Sequence, residues 1–179
     1  MTVEERRKNG GRGAGPANRA ALLASARFLF DTRGLDVPLN AIAQRAGVGQ
    51  GSLYRHFPNR RSLAVAVFEE NVQQYEQLVA DPDATAEDIL KLVTEHMVKS
   101  AAFVQLMLTA PRDEQVTVLA DRVTEAVLTR ASSGSLPFGS PEDLQLAIGM
   151  VASATATATP ERRIKVARRA WALVGVTLT

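Results

Sequence analysis

The stretch AGVGQGSLYRHF, Ala46–Phe57, decides the fold, because three glycines at alternate positions precede a run of aromatic and polar residues. Two interpretations compete for it: a loop that binds a nucleotide phosphate, and the turn of a helix-turn-helix. A phosphate loop follows a strand and carries G-x-G-x-x-G or a closing Gly-Lys-Ser/Thr. Here the preceding LNAIAQRA is helical in pattern, and Ser52 follows Gly51 without a lysine. The sequence therefore favours the helix-turn-helix.

The helix-turn-helix gives each residue of this region a role. Two short helices that cross steeply need a small residue where their backbones meet and a permissive residue in the turn. Ala43 supplies the first and Gly47 the second, while Gly49 is an acceptable N-cap for the next helix. Apolar side chains must also fill the elbow, and four stand at suitable positions: Ile42, Val48, Leu53 and Phe57.

The outer face of the next helix is predicted to read DNA. The residues that packing does not need form a surface of hydrogen-bond donors without an acid: Gln50, Gly51, Ser52, Tyr54, Arg55 and His56. Gln50 can bond bidentately with adenine, Arg55 can address guanine or phosphate, and Ser52 can serve either. Tyr54 and His56 suit phosphate oxygens better than base edges.

Positive charge is concentrated near the amino terminus. Residues 1–61 hold eleven Lys or Arg against four Asp or Glu, a net charge of +7, and the remainder carries −5. Such segregation attracts a polyanion to the first third of the chain; two differently solvated faces are the alternative. The first residues form a basic arm that either reaches a minor groove or serves solubility, with its cations at Arg6, Arg7, Lys8 and Arg12.

Helical periodicity continues along the rest of the chain, and no segment favours a sheet. The sequence predicts an all-α protein of about nine helices, the first of them capped by Asn18 and stopped by Gly34. Pro38 is expected to open the second helix, and Ser140 and Thr159 to precede the last two. The predicted helical segments are 18–34, 38–46, 50–57, 60–80, 85–99, 100–110, 112–130, 141–157 and 160–178.

Composition excludes several classes of protein. The chain has no cysteine, which removes disulfides, thiolate zinc sites and cysteine nucleophiles. Two histidines without an H-E-x-x-H or paired acidic motif argue against a metal site, so we expect no cofactor, no metal and no enzymatic activity. The first residues lack the apolar run of a secretory signal, and no stretch reaches the roughly 20 apolar residues of a membrane span. A cytoplasmic protein is expected.

The segment IAQRAGVGQGSLYRHFPNRRSL, Ile42–Leu63, resembles the DNA-binding segment of the TetR family of transcriptional repressors. The resemblance runs from the first helix into the fourth; beyond it only the helical layout is similar. It implies that Gln50, Ser52 and Arg55 face bases and that Tyr54 and His56 hold phosphates. It also implies that Arg60 takes the place of a lysine that binds phosphate at the start of the fourth helix.

Two positions depart from the family pattern. Pro38 stands where many members have a threonine that caps the second helix, so a hydroxyl contact is missing there. Asn40, two residues on, is the candidate for a contact to the backbone or to a base instead. Gly49 replaces a common serine, which removes another hydroxyl.

The resemblance also implies a homodimer and a small-molecule effector. The last two helices carry many small residues, which allow close approach, and two such pairs would form a four-helix interface; an ordinary pair within one chain is the alternative. A hydrophobic effector is expected in the carboxy-terminal core, although a filled core has the same sequence pattern. Candidate effector-binding residues are His96, Phe103, Gln105, Met107, Thr109, Met150 and Trp171. For His96, a core histidine is the alternative.

Together these features predict a ligand-responsive repressor that binds a palindromic operator as a homodimer through the third helix and leaves it when the effector binds. Activation instead of repression stays open, as do a sequence-indifferent architectural DNA binder and a small-molecule carrier or enzyme. The predicted division is a flexible basic arm over 1–16, a helix-turn-helix DNA-binding domain over 17–62, and an effector-binding and dimerisation domain over 63–179.

Overall fold

The structure is a computed structural model and describes residues 14–100, 104, 114–131 and 135–178. These residues contain eight α-helices, a short 3-10 turn at Pro160–Arg162 and no strand, which confirms the predicted all-α class. The helices are α1 (Ala14–Arg33), α2 (Leu39–Ala46), α3 (Gln50–His56), α4 (Arg60–Val79), α5 (Ala86–Lys99), α6 (Glu114–Arg130), α7 (Pro141–Ala156) and α8 (Arg163–Leu173). Most of the predicted basic arm, with its four cations, lies outside the described residues.

The turn between α2 and α3 has the geometry that its glycine predicts. Gly47 has a φ of 65° and a ψ of 22°, in the left-handed region that glycine enters without steric cost. Its N–H donates to the carbonyl of Gln44, and the N–H of Val48 donates to that of Ala43. This pair of bonds is the Schellman ending of a helix. Gly49 then occupies the N-cap of α3, as predicted.

The elbow between α2 and α3 is filled as predicted. The four apolar side chains assigned to it are at most 8% exposed, and Ala43 is 2% exposed. They join a continuous buried core with α1, whose inward residues are Leu22, Leu23, Ala26, Leu29 and Phe30. Burial of this one face of α3 leaves its other face to solvent, which positions the predicted DNA-reading residues.

Replacing Gly47 with alanine is expected to lower the free energy of unfolding by about 1 kcal/mol, because a Cβ is strained at positive φ even where space is open. Gly51→Ala is the matched control, since this glycine lies within α3 and a Cβ there meets nothing within 4 Å. That change should stabilise the protein by roughly 0.5–1 kcal/mol through helix propensity. Urea denaturation measures both; equal effects would contradict the left-handed turn.

Several helix boundaries differ from the predicted ones. The chain is already helical at Ala14, so Asn18 is not the N-cap and residues 14–16 belong to α1, where Pro16 is tolerated in a first turn. Pro38 is the N-cap of α2, not its first helical residue. The two successive segments predicted from Thr85 and from Ser100 are separated in the structure: α5 ends at Lys99, Ser100 has an extended backbone, and Val104 is helical again.

The carboxyl end of the chain also departs from the prediction. The last helix stops at Leu173 instead of near Leu178, because Gly175 adopts a φ of 86°. The N–H of Val176 donates to the carbonyl of Trp171 at 2.9 Å, which again gives a Schellman ending. Val176 is 6% exposed and therefore packs into the core as the chain turns back.

Helix α4 connects the amino-terminal helices to the rest of the fold. On one side, Arg27 of α1 donates to the side chains of Asn71 and Glu70 at 2.7 Å and to the carbonyl of Val67 at 2.8 Å. On the other, Arg122 of α6 pairs with two α4 carboxylates, Glu69 at 2.8 Å and Glu76 at 2.7 Å. These contacts fasten α4 to both α1 and α6.

Candidate nucleic-acid interface and ligand cavity

The predicted DNA-reading residues share the outer surface of α3. Gln50, Gly51, Tyr54 and Arg55 are exposed, while Ser52 and His56 are partly buried. Leu53 between them is buried and anchors the helix to the core. The structure therefore presents one polar, acid-free face along two turns of α3. Asn40, near the start of α2, is also exposed.

The guanidinium of Arg55 is held in place by its own helix. Its Nε donates to the carbonyl of Gly51 at 3.2 Å, and an Nη donates to the Ser52 hydroxyl at 2.8 Å. From the sequence alone, Ser52 and Arg55 are predicted to make two separate contacts to bases. In the protein as described they form one unit, because the Ser52 hydroxyl is the acceptor that orients Arg55.

Arg60, the predicted phosphate-binding residue, lies at the first position of α4. It pairs with Asp36 at 3.5 Å, and its Nε is buried without a hydrogen-bond partner among the described residues. Asn59 before it caps α4, accepting from the N–H of Ser62 at 2.8 Å, while the Ser62 hydroxyl completes a capping box. Asp36 is largely exposed, so this ion pair is weak and a phosphate oxygen could replace the carboxylate.

One arginine of α2 that the sequence pattern did not single out also lies on this part of the molecule. The guanidinium of Arg45 stacks over the ring of Phe28 at 3.7 Å from its centre. Phe28 is 48% exposed, an unusual state for a phenylalanine that is explained by its cationic neighbour. In the sequence, Phe28 does not share the helical spacing of the buried residues of α1, and this mismatch is the signal that could have identified the pair.

A cavity of about 290 Å³ lies among α5, α6 and α7. Most of its wall is apolar, formed by Val93, Met97, Val104, Val116, Val123 and Ile148. Polar groups come from Thr117, Asp121 and Thr124 of α6 and from Gln145 of α7. The Gln145 amide donates to the Asp121 carboxylate at 2.8 Å.

The predicted effector-binding residues are distributed differently. Phe103, Gln105, Met107 and Thr109 lie outside the described residues. The other three do not line the cavity. Met150 is 54% exposed on the outer side of α7, and Trp171 is fully buried in the contact between α5 and α8. His96 faces α4, where its Nδ1 lies 2.7 Å from the Tyr75 hydroxyl.

The contact between Tyr75 and His96 fixes the charge state of both side chains. Burial raises the pKa of Tyr75 well above its usual value, so its hydroxyl keeps its proton. We assign His96 Nδ1 as the acceptor of this contact, so that the Tyr75 hydroxyl donates to it. Burial, together with the positive charges of Arg27 and Lys99, lowers the pKa of His96 to about 4. His96 is therefore neutral at neutral pH, with its own proton on Nε2.

Exposed apolar side chains collect on the last two helices. Among the large apolar residues that the structure describes as exposed, α7 carries Leu146 and Met150, and α8 carries Ile164 and Leu173. Leu146 is 64% exposed and Leu173 is 72% exposed. The two helices also pack on each other. Exposed apolar side chains on two packed helices are typical of a region that another protein covers. No helix in the described part of the chain has the length and apolar character to cross a membrane.

Comparison with known proteins agrees with the geometry of the helix-turn-helix. Residues 22–67 match the sequence profile described as bacterial regulatory proteins, tetR family. The chain is 29% identical, over 87 residues, to the HTH-type transcriptional regulator SAB2452 of Staphylococcus aureus (strain bovine RF122 / ET3-1). That stretch is 46% of this chain and 46% of that protein, so the similarity spans under half of the relative's length.

Solved structures extend the likeness to the whole fold. The TetR transcriptional regulator SCO0520 from Streptomyces coelicolor matches with a TM-score of 0.58 and 23% identity, over 90% of this chain and 99% of its own. RolR, solved in complex with the ligand resorcinol, matches with a TM-score of 0.54 and 23% identity, over 92% of this chain and 90% of its own. The described helices thus share the fold of these TetR-family regulators, and residues 22–67 match the profile of the tetR family of bacterial regulatory proteins.

Proposed function

We propose that the protein is a ligand-responsive transcriptional repressor that binds a palindromic operator as a homodimer and releases it when a small, hydrophobic effector binds. The proposed division keeps the predicted one: a basic arm over 1–16, a DNA-binding domain over 17–62 and an effector-binding and dimerisation domain over 63–179. Such a protein acts in the cytoplasm, where bacterial DNA lies.

The observation that carries the proposal is the polar, acid-free face of α3. A short helix with one buried and one donor-rich face fits the major groove, where base edges can be distinguished. Arg55 and Gln50 are both exposed on it, and Arg60 stands just beyond it. We assign Arg55 and Gln50, with Ser52, to bases. We assign phosphate contacts to Arg60, Tyr54 and His56, and a contact with either a base or the DNA backbone to Asn40.

The dimer follows from the two-fold symmetry of operator half-sites. The exposed apolar residues of α7 and α8 support these two helices as the contact, because pairing with the same helices of a second copy in a four-helix bundle would remove apolar side chains from water. Light scattering on the purified protein at micromolar concentration should give twice the mass of one chain. The mass of a single chain would contradict the dimer.

The cavity among α5, α6 and α7 supports the effector part of the proposal. Its volume of about 290 Å³ suits a single small molecule, and its wall is mostly apolar. The resorcinol bound to RolR is a ligand of that size class. Because Arg122 joins the cavity-bearing α6 to α4, and Arg27 joins α4 to α1, an effector that favours one position of α6 can shift the spacing of the two α3 helices.

The proposal is tested by two arginine variants on the protein's own upstream DNA. Arg55→Ala should relax base preference at one position per half-site, costing about 1–3 kcal/mol against the cognate sequence and much less against unrelated DNA. Arg60→Ala should weaken binding to all sequences alike and lower the slope of log Kd against log salt by about 0.9 for each phosphate that is no longer neutralised. Fluorescence anisotropy with operator and scrambled duplexes measures both.

The two variants control for each other, because each removes one arginine from the same surface. Equal loss of discrimination in both would show that the roles are assigned wrongly. If the unaltered protein binds scrambled DNA as tightly as upstream DNA, it is an architectural binder and not a repressor. An increase in transcription of the adjacent gene on binding would make it an activator.

A further inference from the structure

The cavity carries one charged side chain. Among the described residues that line it, Asp121 alone has an ionisable group, and no Lys or Arg lines it. The carboxylate stands on α6 at an exposed position, so it belongs to the mouth of the cavity and not to its floor. Any molecule that enters must therefore pass or remain beside a negative charge.

The nearest arginine in the chain cannot neutralise this charge. Arg122 follows Asp121 directly, but its guanidinium is engaged on α4, where it bonds both oxygens of Glu69 and both oxygens of Glu76. Four charge-assisted bonds hold it there. Successive residues of a helix point in different directions, so Arg122 reaches α4 while Asp121 faces α7.

Gln145 of α7 positions the carboxylate. Its Nε2 donates to Asp121 Oδ1 at 2.8 Å across the mouth of the cavity. The other oxygen, Oδ2, has no hydrogen-bond partner in the described part of the chain. An amide can donate to a carboxylate without neutralising it, so the bond fixes one oxygen and leaves the second as an acceptor towards an entering molecule.

No positive charge among the described lining residues would compensate an anion. Thr124 uses its hydroxyl proton on the carbonyl of Ala120 at 2.9 Å, and the apolar wall offers no donor. A carboxylate or phosphate placed here would lose its hydration and meet a like charge. A hydroxyl or an ammonium group would instead gain a charge-assisted bond to Asp121.

We infer that the effector is a compact, largely apolar molecule whose hydrogen-bond donor, a hydroxyl or a cationic amine, is recognised by Asp121, and that anionic molecules are rejected. This inference rests on the proposed function for the cavity itself and adds the chemical class of the ligand. Asp121 is the recognising residue and Gln145 is its positioning residue.

The test uses four probes that share one ring system and differ only in the attached group: 2-naphthylmethylamine, 2-naphthalenemethanol, 2-methylnaphthalene and 2-naphthoate. Their affinities for the full chain are compared by saturation-transfer NMR and by thermal shift. The expected order of affinity, from tightest to weakest, is amine, alcohol, hydrocarbon and carboxylate. The amine should bind about tenfold more tightly than the hydrocarbon. This factor is at the lower end of the range for hydrogen bonds to charged groups, because Asp121 is exposed to solvent.

Variants assign the effect to the carboxylate. Asp121→Asn should bring the affinities of the amine and the carboxylate together while leaving the hydrocarbon unchanged. Gln145→Leu should keep the preference for the amine but reduce it several-fold, because Asp121 stays charged but is no longer held. Gly149→Leu is the blocking control: a Cβ there meets nothing within 4 Å, and the added side chain should fill the cavity.

The outcomes separate the inference from the proposed function. If Gly149→Leu abolishes binding of all four probes but the carboxylate binds as well as the amine, the donor inference is overturned and the cavity remains an effector site. If no probe binds, or if Gly149→Leu changes nothing, the cavity is not the effector site and both are overturned. Loss of the amine preference in Asp121→Asn alone supports both.

Discussion

Replacing Trp171 with alanine is expected to lower the free energy of unfolding by about 3–5 kcal/mol. Its indole is fully buried in the contact between α8 and α5, and its Nε1 donates to the Thr94 hydroxyl at 2.8 Å. The substitution leaves a large cavity and removes this buried bond. Because Trp171 is the single tryptophan of the chain, the transition must be followed by circular dichroism during urea denaturation, not by fluorescence.

Two further variants show where the loss arises. Leu173→Ala lies in the same helix but removes a side chain that is 72% exposed, so the change in stability should stay within about 0.5 kcal/mol. Trp171→Phe keeps most of the apolar volume. Thr94 still donates to the carbonyl of Leu90 at 2.7 Å, so its hydroxyl is not left unbonded and the cost should be about 1–2 kcal/mol. A similar loss in Leu173→Ala and Trp171→Ala would contradict the buried contact.

This contact matters for the proposed dimer as well as for stability. Trp171 holds α8 against α5, and Leu173, two residues on, is 72% exposed on the other side of the same helix. If the contact between Trp171 and α5 is loosened, α8 shifts and its exposed residue Leu173 is displaced with it. Trp171→Ala should therefore weaken self-association more than Trp171→Phe does, and this difference can be read from the same light-scattering measurement that tests the dimer.

The sequence was most informative where backbone conformation restricts the choice of residue. Gly47 is required by a left-handed turn, and the apolar spacing around it repeats the geometry of two crossing helices, so both were predictable. Gly175 follows a helical pattern in the same way and is a comparable stop signal. It was missed because the apolar residues after it continue the helical periodicity, although Val176 in fact packs back onto Trp171.

Side chains that act through tertiary contacts were not predictable. Asp121 and Gln145 are 24 positions apart, and nothing in either helix indicates that they meet. The sequence predicts Trp171 as a ligand group and leaves His96 open between a ligand group and a core histidine. In the structure His96 contacts Tyr75 and Trp171 donates to Thr94, and only the three-dimensional arrangement supplies these two partners.

The stability of the protein is expected to fall as the pH drops from about 6.5 to about 4, in part because of His96. In the folded state its pKa is lowered to about 4 by burial and by the positive charges of Arg27 and Lys99, against the opposing negative charge of Glu95. The unfolded chain titrates near 6.5 and so binds more protons in this range. The contribution is complete above pH 6.5 and is lost progressively towards pH 4.

His96→Gln isolates this effect from the titration of carboxylates, because the glutamine oxygen can still accept from the Tyr75 hydroxyl but carries no charge at any pH. The stability advantage of the natural protein over the variant should shrink by about 2 kcal/mol between pH 7.5 and pH 4. The full difference in pKa between the folded and unfolded states would give a larger change in the free energy of unfolding. We expect the smaller value because His96 is partly exposed to solvent. Urea denaturation at a series of pH values measures it.

The ring proton of His96 gives a direct reading of the same quantity. NMR titration of the folded protein should place the midpoint of the His96 signal near pH 4, and the missing signal in His96→Gln assigns it, since the chain has only two histidines. Tyr75→Phe should raise that midpoint, because the hydroxyl that donates to neutral Nδ1 is gone. A midpoint near 6.5 in the natural protein would show that His96 is solvated and that its bond to Tyr75 does not form.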